Sequence, residues 1–489
     1  MSNAAPTAQP AVSSVNKATL FIVFVTVFID LLGFGIVLPL LPRYGALFNA
    51  GGWQLGLLMA SFSAMQFIFA PMWGSLSDRI GRRPILLLGL AGSTISYGLF
   101  GLVSAQGRDA LILGFSPLIW LYVTRIGAGI SGATISTAQA VIADCTGAEN
   151  RGKGMAMIGA AFGIGFTFGP LIGAACVSGD SSVALNDTQW NMVKDWTEET
   201  TPVSKQQFLD NVFNDQKVEV NKANVAAIDS LLENAVPRSE LKRRLLQPPS
   251  GMPGYVASVL SGLAFLLALV KLQESRRPSQ NAGQSSHRAF RPGEVLRHLS
   301  TPQLNSILLA VFITTFGFAQ FESTLSLLTV RFGFNIQWNF LLYAYVGIVL
   351  TIGQGLLVRR MLPRLGERRM ALIGVILMTI GFSLIGLMGL DYLPGQSLWS
   401  ILPVVVIGFS AVTPSLQSML SQAASSDEQG SVLGTGQSLS SLARILGPLF
   451  GIKLLYQSAS LPYFLGAVLI LGGGILIRRM PGKQTTQTS

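Results

Sequence analysis

Long apolar runs separated by short polar stretches recur along the whole of this chain. Each approaches the roughly 20 residues that a helix needs to cross a hydrocarbon layer about 30 Å thick. They fall at 18–42, 54–76, 84–105, 114–140, 154–177, 253–272, 303–328, 337–358, 370–390, 397–420, 431–455 and 462–478. One such run suits a buried helix of a large soluble protein; twelve do not. The pattern predicts an all-α integral membrane protein with 12 transmembrane helices. The first run does not read as a removable signal. It is long, has only Lys17 as a charge ahead of it, ends in LPLLPRYG rather than a small-residue cleavage site, and is followed by further spans.

Two stretches interrupt the rhythm. Residues 273–302 form a polar, basic linker with a short amphipathic helix at its end, and they divide the spans six and six. Residues 178–252 hold 11 acidic and 8 basic residues, with apolar positions near helical spacing between 204 and 245 that suit short surface helices or a disordered segment. Basic residues decide which side each loop takes. Arg79, Arg82 and Arg83, then Arg151 and Lys153, the linker arginines, Arg359 to Arg369 and the tail all fall in one alternating set of loops. The other set holds little more than Arg43, Arg108 and Arg331, and a long loop translocates whatever its charge. The expected organisation is therefore a disordered cytoplasmic N-terminus over 1–17, helices one to five over 18–177 and a large extracytoplasmic insertion over 178–252. Helix six over 253–272, a cytoplasmic linker over 273–302, a second six-helix bundle over 303–478 and a cytoplasmic tail over 479–489 follow.

Composition supports this and removes other classes. Of 489 residues, 50% are hydrophobic and 12% charged, about half the charge of a soluble domain. The net charge of +11 is mostly the loop bias and no argument for nucleic acid, since the arginines are dispersed and no aromatic-basic face accompanies them. Cys145 and Cys176 suggest neither a disulfide framework nor a metal site, and His287 and His298 both lie in the linker. No phosphate-cradling loop, HExxH, GxSxG or TVGYG filter is present, so neither an enzyme, a cofactor nor a channel filter is indicated. The partners expected are the lipid bilayer, a small-molecule substrate and protons, with the 178–252 insertion as the one segment that could bind a protein.

Charge inside a span costs several kcal/mol unless it meets a partner or a watery cavity. Asp30 in VFIDLLGFG, Arg125 in LYVTRIGAG and Glu322 in FAQFESTLS are such residues. An acid and a base in the first half can satisfy each other, or fix helix packing; Glu322 is taken to lack a basic partner in its own half. These three are the proton-coupling candidates, with Arg125 as the fixed charge that tunes Asp30. Asp144, Glu274 and Glu367 lie near span ends and suit anchors or gate contacts. Twelve spans in two sixes, with buried charge in both, favour a secondary transporter built from repeats.

Several segments then resemble the major facilitator superfamily, and within it the twelve-span drug:proton antiporters, the tetracycline-efflux proteins above all. GSLSDRIGRR, Gly74 to Arg83, matches that superfamily's loop between spans two and three in its charge order and both glycines. Asp30 to Pro42 resembles the span-one signature, LYVTRIGAGISGA the span-four motif around Arg125, and Gly163 to Gly173 the span-five antiporter motif. RLGERR (364–369) echoes the loop motif in the second half, while 414–422 and 447–451 resemble spans ten and eleven of the efflux proteins.

The resemblance implies two six-helix bundles around a cavity open alternately to each side. It implies a cytoplasmic gate built on Gly74, Asp78, Arg79, Gly81, Arg82 and Arg83, with Asp78 facing a helix end near Gly434. The second-half loop residues Gly366, Glu367, Arg368 and Arg369 would be its counterpart. Gly165, Gly169, Pro170 and Gly173 would control leak through a bent span five, or simply permit close packing. Two departures from the tetracycline-efflux pattern stand out: Ser96 and Met378 occupy the places of its aspartates in spans three and nine, and the 178–252 insertion is foreign to it. The expected function is proton-coupled export of a small amphiphilic or drug-like molecule across a bacterial inner membrane. Proton- or ion-coupled uptake of a sugar or metabolite, or a receptor or scaffold acting through the insertion, are the alternatives.

Overall fold

In hydrocarbon a backbone must satisfy its own N–H and C=O groups, which long apolar runs achieve by forming helices. The computed structural model describes residues 17–145, 151–177, 185, 187–196, 202–203, 236–275, 297–423 and 429–479. The expected disordered N-terminus before 17, the surface helices between 204 and 235, most of the linker (276–296) and the tail from 480 lie outside the described residues.

The first half comprises α1 (Lys17–Val37), α2 (Leu41–Leu47), α3 (Gly52–Ile80), α4 (Arg82–Ser104), α5 (Pro117–Gly132), α6 (Ile135–Cys145) and α7 (Arg151–Cys176). From the insertion come α8 (Asp187–Lys194), a two-residue antiparallel pair of β1 (Pro202–Val203) with β2 (Val236–Pro237), and α9 (Arg238–Leu246). The last span of this half is α10 (Met252–Lys271). The second half holds α11 (Pro302–Arg331), α12 (Ile336–Ile352), α13 (Arg359–Leu365), α14 (Glu367–Gly389), α15 (Leu398–Ala423), α16 (Gln429–Gln457) and α17 (Leu461–Arg479). Eleven stretches among the described residues are long and apolar enough to cross a membrane, and α7 adds a shorter apolar stretch, Gly163–Cys176.

Three predicted spans are not single helices. The first stops at Val37 and resumes at Leu41, because Pro39 removes a backbone donor, while Pro42 lies in the first turn of the new helix, where no donor is needed. The fourth breaks at Ala133–Thr134, and the eighth passes through a π-helical turn, Gly353–Val358, before α13. Along α14, Met370, Ala371, Gly374, Val375, Met378, Gly381, Phe382 and Ile385 are buried at helical spacing while Ile373, Ile376 and Ile380 are exposed on the other face. An exposed isoleucine stripe with no charge suits lipid, where apolar side chains need no cover.

The two halves repeat one packing plan. In the first, α1 lies on α7, α4 on α5 and α4 on α10; in the second, α11 lies on α16, α14 on α15 and α14 on α17. Between the halves α3 meets α16 and α12 meets α7. Those two contacts exchange under the same pairing of spans, as a twofold relation between the halves requires.

The halves meet at the end that bears the insertion, called here the insertion end. The guanidinium of Arg43 donates to Thr329 Oγ1 at 3.0 Å and to the Phe334 carbonyl at 3.1 Å. The Pro39 carbonyl accepts from Ser326 at 2.7 Å and from Asn339 at 3.3 Å. A Cβ at Gly56 would stand 2.9 Å from the Leu449 backbone, and Lys453 lies over the Trp53 ring at 4.6 Å. Contact continues inward to Gly163, whose Cβ would stand 2.8 Å from Thr351 Oγ1. At the opposite, arginine-rich end, a Cβ at Gly74 on α3 or at Gly434 on α16 would meet nothing within 4 Å. Among the described residues the contacts between the halves thus gather at one end of the space between them, while these two positions at the other end face open space.

Candidate functional site

Near the middle of the spans the polar side chains converge. Asp30 on α1 is half-buried; Ser261 of α10 donates to its Oδ1 at 3.4 Å and Ser93 of α4 lies beside it. Arg125 on α5 is 2% exposed and lies over the rings of Phe62 at 4.5 Å and Phe34 at 5.8 Å. Two neighbouring aromatic rings thus lie to one side of the guanidinium, a favourable cation–π arrangement. Its in-plane donors fare differently: Nε and Nη1 are buried with no hydrogen-bond partner. Among the described residues no ion pair joins Arg125 to Asp30. The expected first-half pair is therefore replaced by two separate environments: serines for the acid, aromatic faces for the base. Tyr97, buried against Gly33, lies in the field of both.

Glu322 sits half-buried on α11, its backbone carbonyl accepting from Tyr343 at 2.7 Å. Its charge partners are Arg444 and Arg125. Arg444 belongs to α16, so the expectation that Glu322 lacks a base in its own half is wrong. The signal was present in sequence, a lone arginine in SLARILGPLF within an apolar run. Arg125 comes from the first half, and its field on Glu322 couples the two bundles electrostatically. Ser96 and Met378, both buried, pack against Gly127 and Gly408.

The loop residues build a different structure. Gly81 has φ +110°, a conformation that L side chains rarely adopt, and it turns the chain from α3 into α4. The side chain of Glu274, just beyond α10, accepts from the backbone N–H groups of Arg82 at 2.9 Å and Arg83 at 3.1 Å. A carboxylate there satisfies orphan donors and complements the positive helix end. Arg82 donates to Ser77 at 2.6 Å, and Arg83 to the Leu269 carbonyl at 2.7 Å. The second half follows the same plan at Gly366, φ +77°: Arg368 donates to the Arg478 carbonyl on α17, while Glu367 accepts from Ser418 at 3.2 Å and Gln422 at 2.7 Å. Arg79 and Arg369 are exposed at this end. The Asp78 side chain lies outside the described residues, and Gly434, its expected neighbour, is exposed.

The antiporter-motif glycines let α1 and α7 touch. A Cβ at Gly169 would stand 2.8 Å from Gly35 Cα, and one at Gly165 2.9 Å from Leu31 Cβ. Pro170 follows within the helix, and Gly173 faces Phe340 of the other half.

A bundle of apolar spans in two matched halves, with charge gathered between them, defines an integral membrane transporter rather than an enzyme. The profile of the Major Facilitator Superfamily matches residues 23–191 and 251–448, and the chain belongs to that superfamily. The class C tetracycline resistance protein of Escherichia coli is 27% identical over 485 residues, which is 97% of this chain and 100% of that protein. Major facilitator superfamily domain-containing protein 10 of Homo sapiens is 28% identical over 484 residues, 91% of this chain and 89% of that one. The crystal structure of the human organic anion transporter MFSD10 superposes with a TM-score of 0.59 at 24% identity, covering 94% of this chain and 99% of that one. A D-xylose–proton symporter gives 0.63 at 14% identity, covering 96% and 98%. These likenesses show the fold.

Proposed function

We propose that this transporter exports small amphiphilic organic molecules in exchange for protons, by alternating access, with both termini and the arginine-rich loops on the cytoplasmic side of a bacterial inner membrane. The observation that carries the reading is the placement of one half-buried carboxylate in each half, Asp30 against serines and Glu322 in the field of arginines from both halves. Movement of the halves changes the surroundings of Glu322 directly, since Arg125 belongs to the other bundle. Similarity to tetracycline resistance proteins supports export. The Ser96 and Met378 positions argue against tetracycline as the substrate.

The test is proton release from detergent-solubilised protein on addition of a transported compound, for wild type, Glu322→Gln and Asp30→Asn between pH 6 and 8. Loss of release in one variant names the carrier. Unaltered release in both removes the two acids from the coupling path. In proteoliposomes, substrate movement indifferent to every ion gradient would overturn coupled transport itself.

A further inference from the structure

The contacts that join the halves at the insertion end include a cation with no counter-charge. Arg43 on α2 is 5% exposed, and only its Nη2 is bonded, to Thr329 and the Phe334 carbonyl of the other half. Nε and Nη1 are buried without a partner, and the titratable groups whose field reaches the guanidinium are the phenols of Tyr343 and Tyr44. Among the described residues no acid pairs with it. The other two arginines of the short loops at this end do have one, Asp187 for Arg108 and Asp391 for Arg331. Around Arg43 the closure is made by neutral groups. Ser326 and Asn339 both donate to the Pro39 carbonyl in the break between α1 and α2, and Thr329 donates on to Asn339 Oδ1 at 2.8 Å. These two sets of interactions pull in opposite directions. Hydrogen bonds between neutral groups of the two halves favour closure, each modestly. A guanidinium buried without a carboxylate, and with two nitrogens unbonded, disfavours it, because hydration removes that cost once the halves part.

We propose that Arg43 is the gating residue of the insertion end: its uncompensated burial keeps the closed form from becoming a trap, while the neutral bonds at the Pro39 carbonyl hold that form shut. When the halves part here, the guanidinium leaves its seat on Thr329 and Phe334, and water takes up all its donors. Closure returns it to a seat that bonds one nitrogen of three. The inference rests on reading transport as alternating access. It needs neither a known substrate nor a proton gradient, so it stands or falls separately from proton coupling.

Val177 supplies the probe, since it is buried at this end and its carbonyl accepts from Gln337 of the other half at 3.3 Å. Val177→Cys, in full-length protein without Cys145 and Cys176, is treated in detergent with a water-soluble maleimide, and the labelling rate follows the fraction of molecules open at the insertion end. Arg43→Met, which keeps the bulk and removes the cation, is expected to slow labelling at least about tenfold. Arg43→Gln is expected to slow it in the same sense, so the test survives if the methionine variant does not fold. Arg43→Lys keeps the charge and is expected to label near the wild-type rate. Ser326→Ala, which loses a bond to the Pro39 carbonyl, is expected to label about two- to tenfold faster. A residue that merely clamped the halves together would give the opposite sign at position 43. Faster or unchanged labelling in the methionine and glutamine variants therefore overturns the proposal, and so does a slowing that Arg43→Lys shares. A cysteine that stays unlabelled in wild type and in every variant sinks alternating access at this end, and the gate with it.

Discussion

Arg444 shows how a single residue changes the account of its neighbours. Without it Glu322 would be a solitary acid of its half; with it, Glu322 lies in the field of two bases from different halves. It was legible as a charge in an apolar run, whereas the unpartnered Nε and Nη1 of Arg125 were not, because their burial depends on side chains brought together from several helices. Glu274 was legible only as an end-of-span acid. Its capping of α4 requires α10 to finish beside Gly81. At Asp78 a proposal remains: its carboxylate faces the start of α16 when the arginine end closes, a contact worth roughly 0.3–1 kcal/mol. Since a Cβ at Gly434 would face open space here, Asp78→Asn should shift the population toward the form seen here. Labelling of Gly434→Cys, in a background without Cys145 and Cys176, should become about two- to fivefold more complete at equilibrium sampling times. Unchanged labelling at normal expression would leave Asp78 with a topological role alone.

Among the elements, the apolar runs announced the helices because hydrocarbon admits little else. The break after Val37 could be read from Pro39 and Pro42, but the one at Ala133–Thr134 has no proline to mark it. The insertion was least legible, since its attachment uses residues distant in sequence. Asp187 on α8 pairs with Arg108, while Lys194 donates to Asp109 at 2.8 Å and Trp190 Nε1 to both Asp109 oxygens at 3.1 Å. The Lys194 bond first, and then that of Trp190, hold the Asp109 carboxyl below its ordinary range. A depressed value stabilises the attachment above the unfolded value of about 4 and withdraws that support as the pH falls through the folded one. Amide exchange in α8, normalised for the intrinsic effect of pH, should therefore accelerate between pH 5 and about pH 3 in wild type. Asp109→Asn should show the weaker protection already at pH 7, with little further change. Parallel profiles for the two proteins would contradict this account. The group is largely solvent-exposed, so the effect is expected to be modest.

For the whole molecule, the relation between the halves matters more than any one helix. The repeat of packing between them was implied by six spans on either side of a linker. Which ends touch was not, because both closures use the same sequence. Gly52 and Tyr456 offer a direct measure: a Cβ at Gly52 would stand 3.5 Å from that of Tyr456, within disulfide range. Gly52→Cys with Tyr456→Cys, again without the native cysteines, should cross-link readily under mild oxidation. Transport should then stop and return on reduction. Unimpaired transport by the cross-linked protein would show that the insertion end does not need to open.

The fastening of the insertion has a further consequence. Arg108, Asp109 and Tyr44, which hold Asp187, Lys194 and the Ser250 carbonyl, all belong to the first half. The described part of the insertion is thus fastened to one bundle, and it forms a handle whose position reports that bundle. An antibody fragment gripping only this handle would ride along without arresting turnover. One that also seized α12 would act as a brake, because it would splice together two bodies whose relative motion is the working stroke.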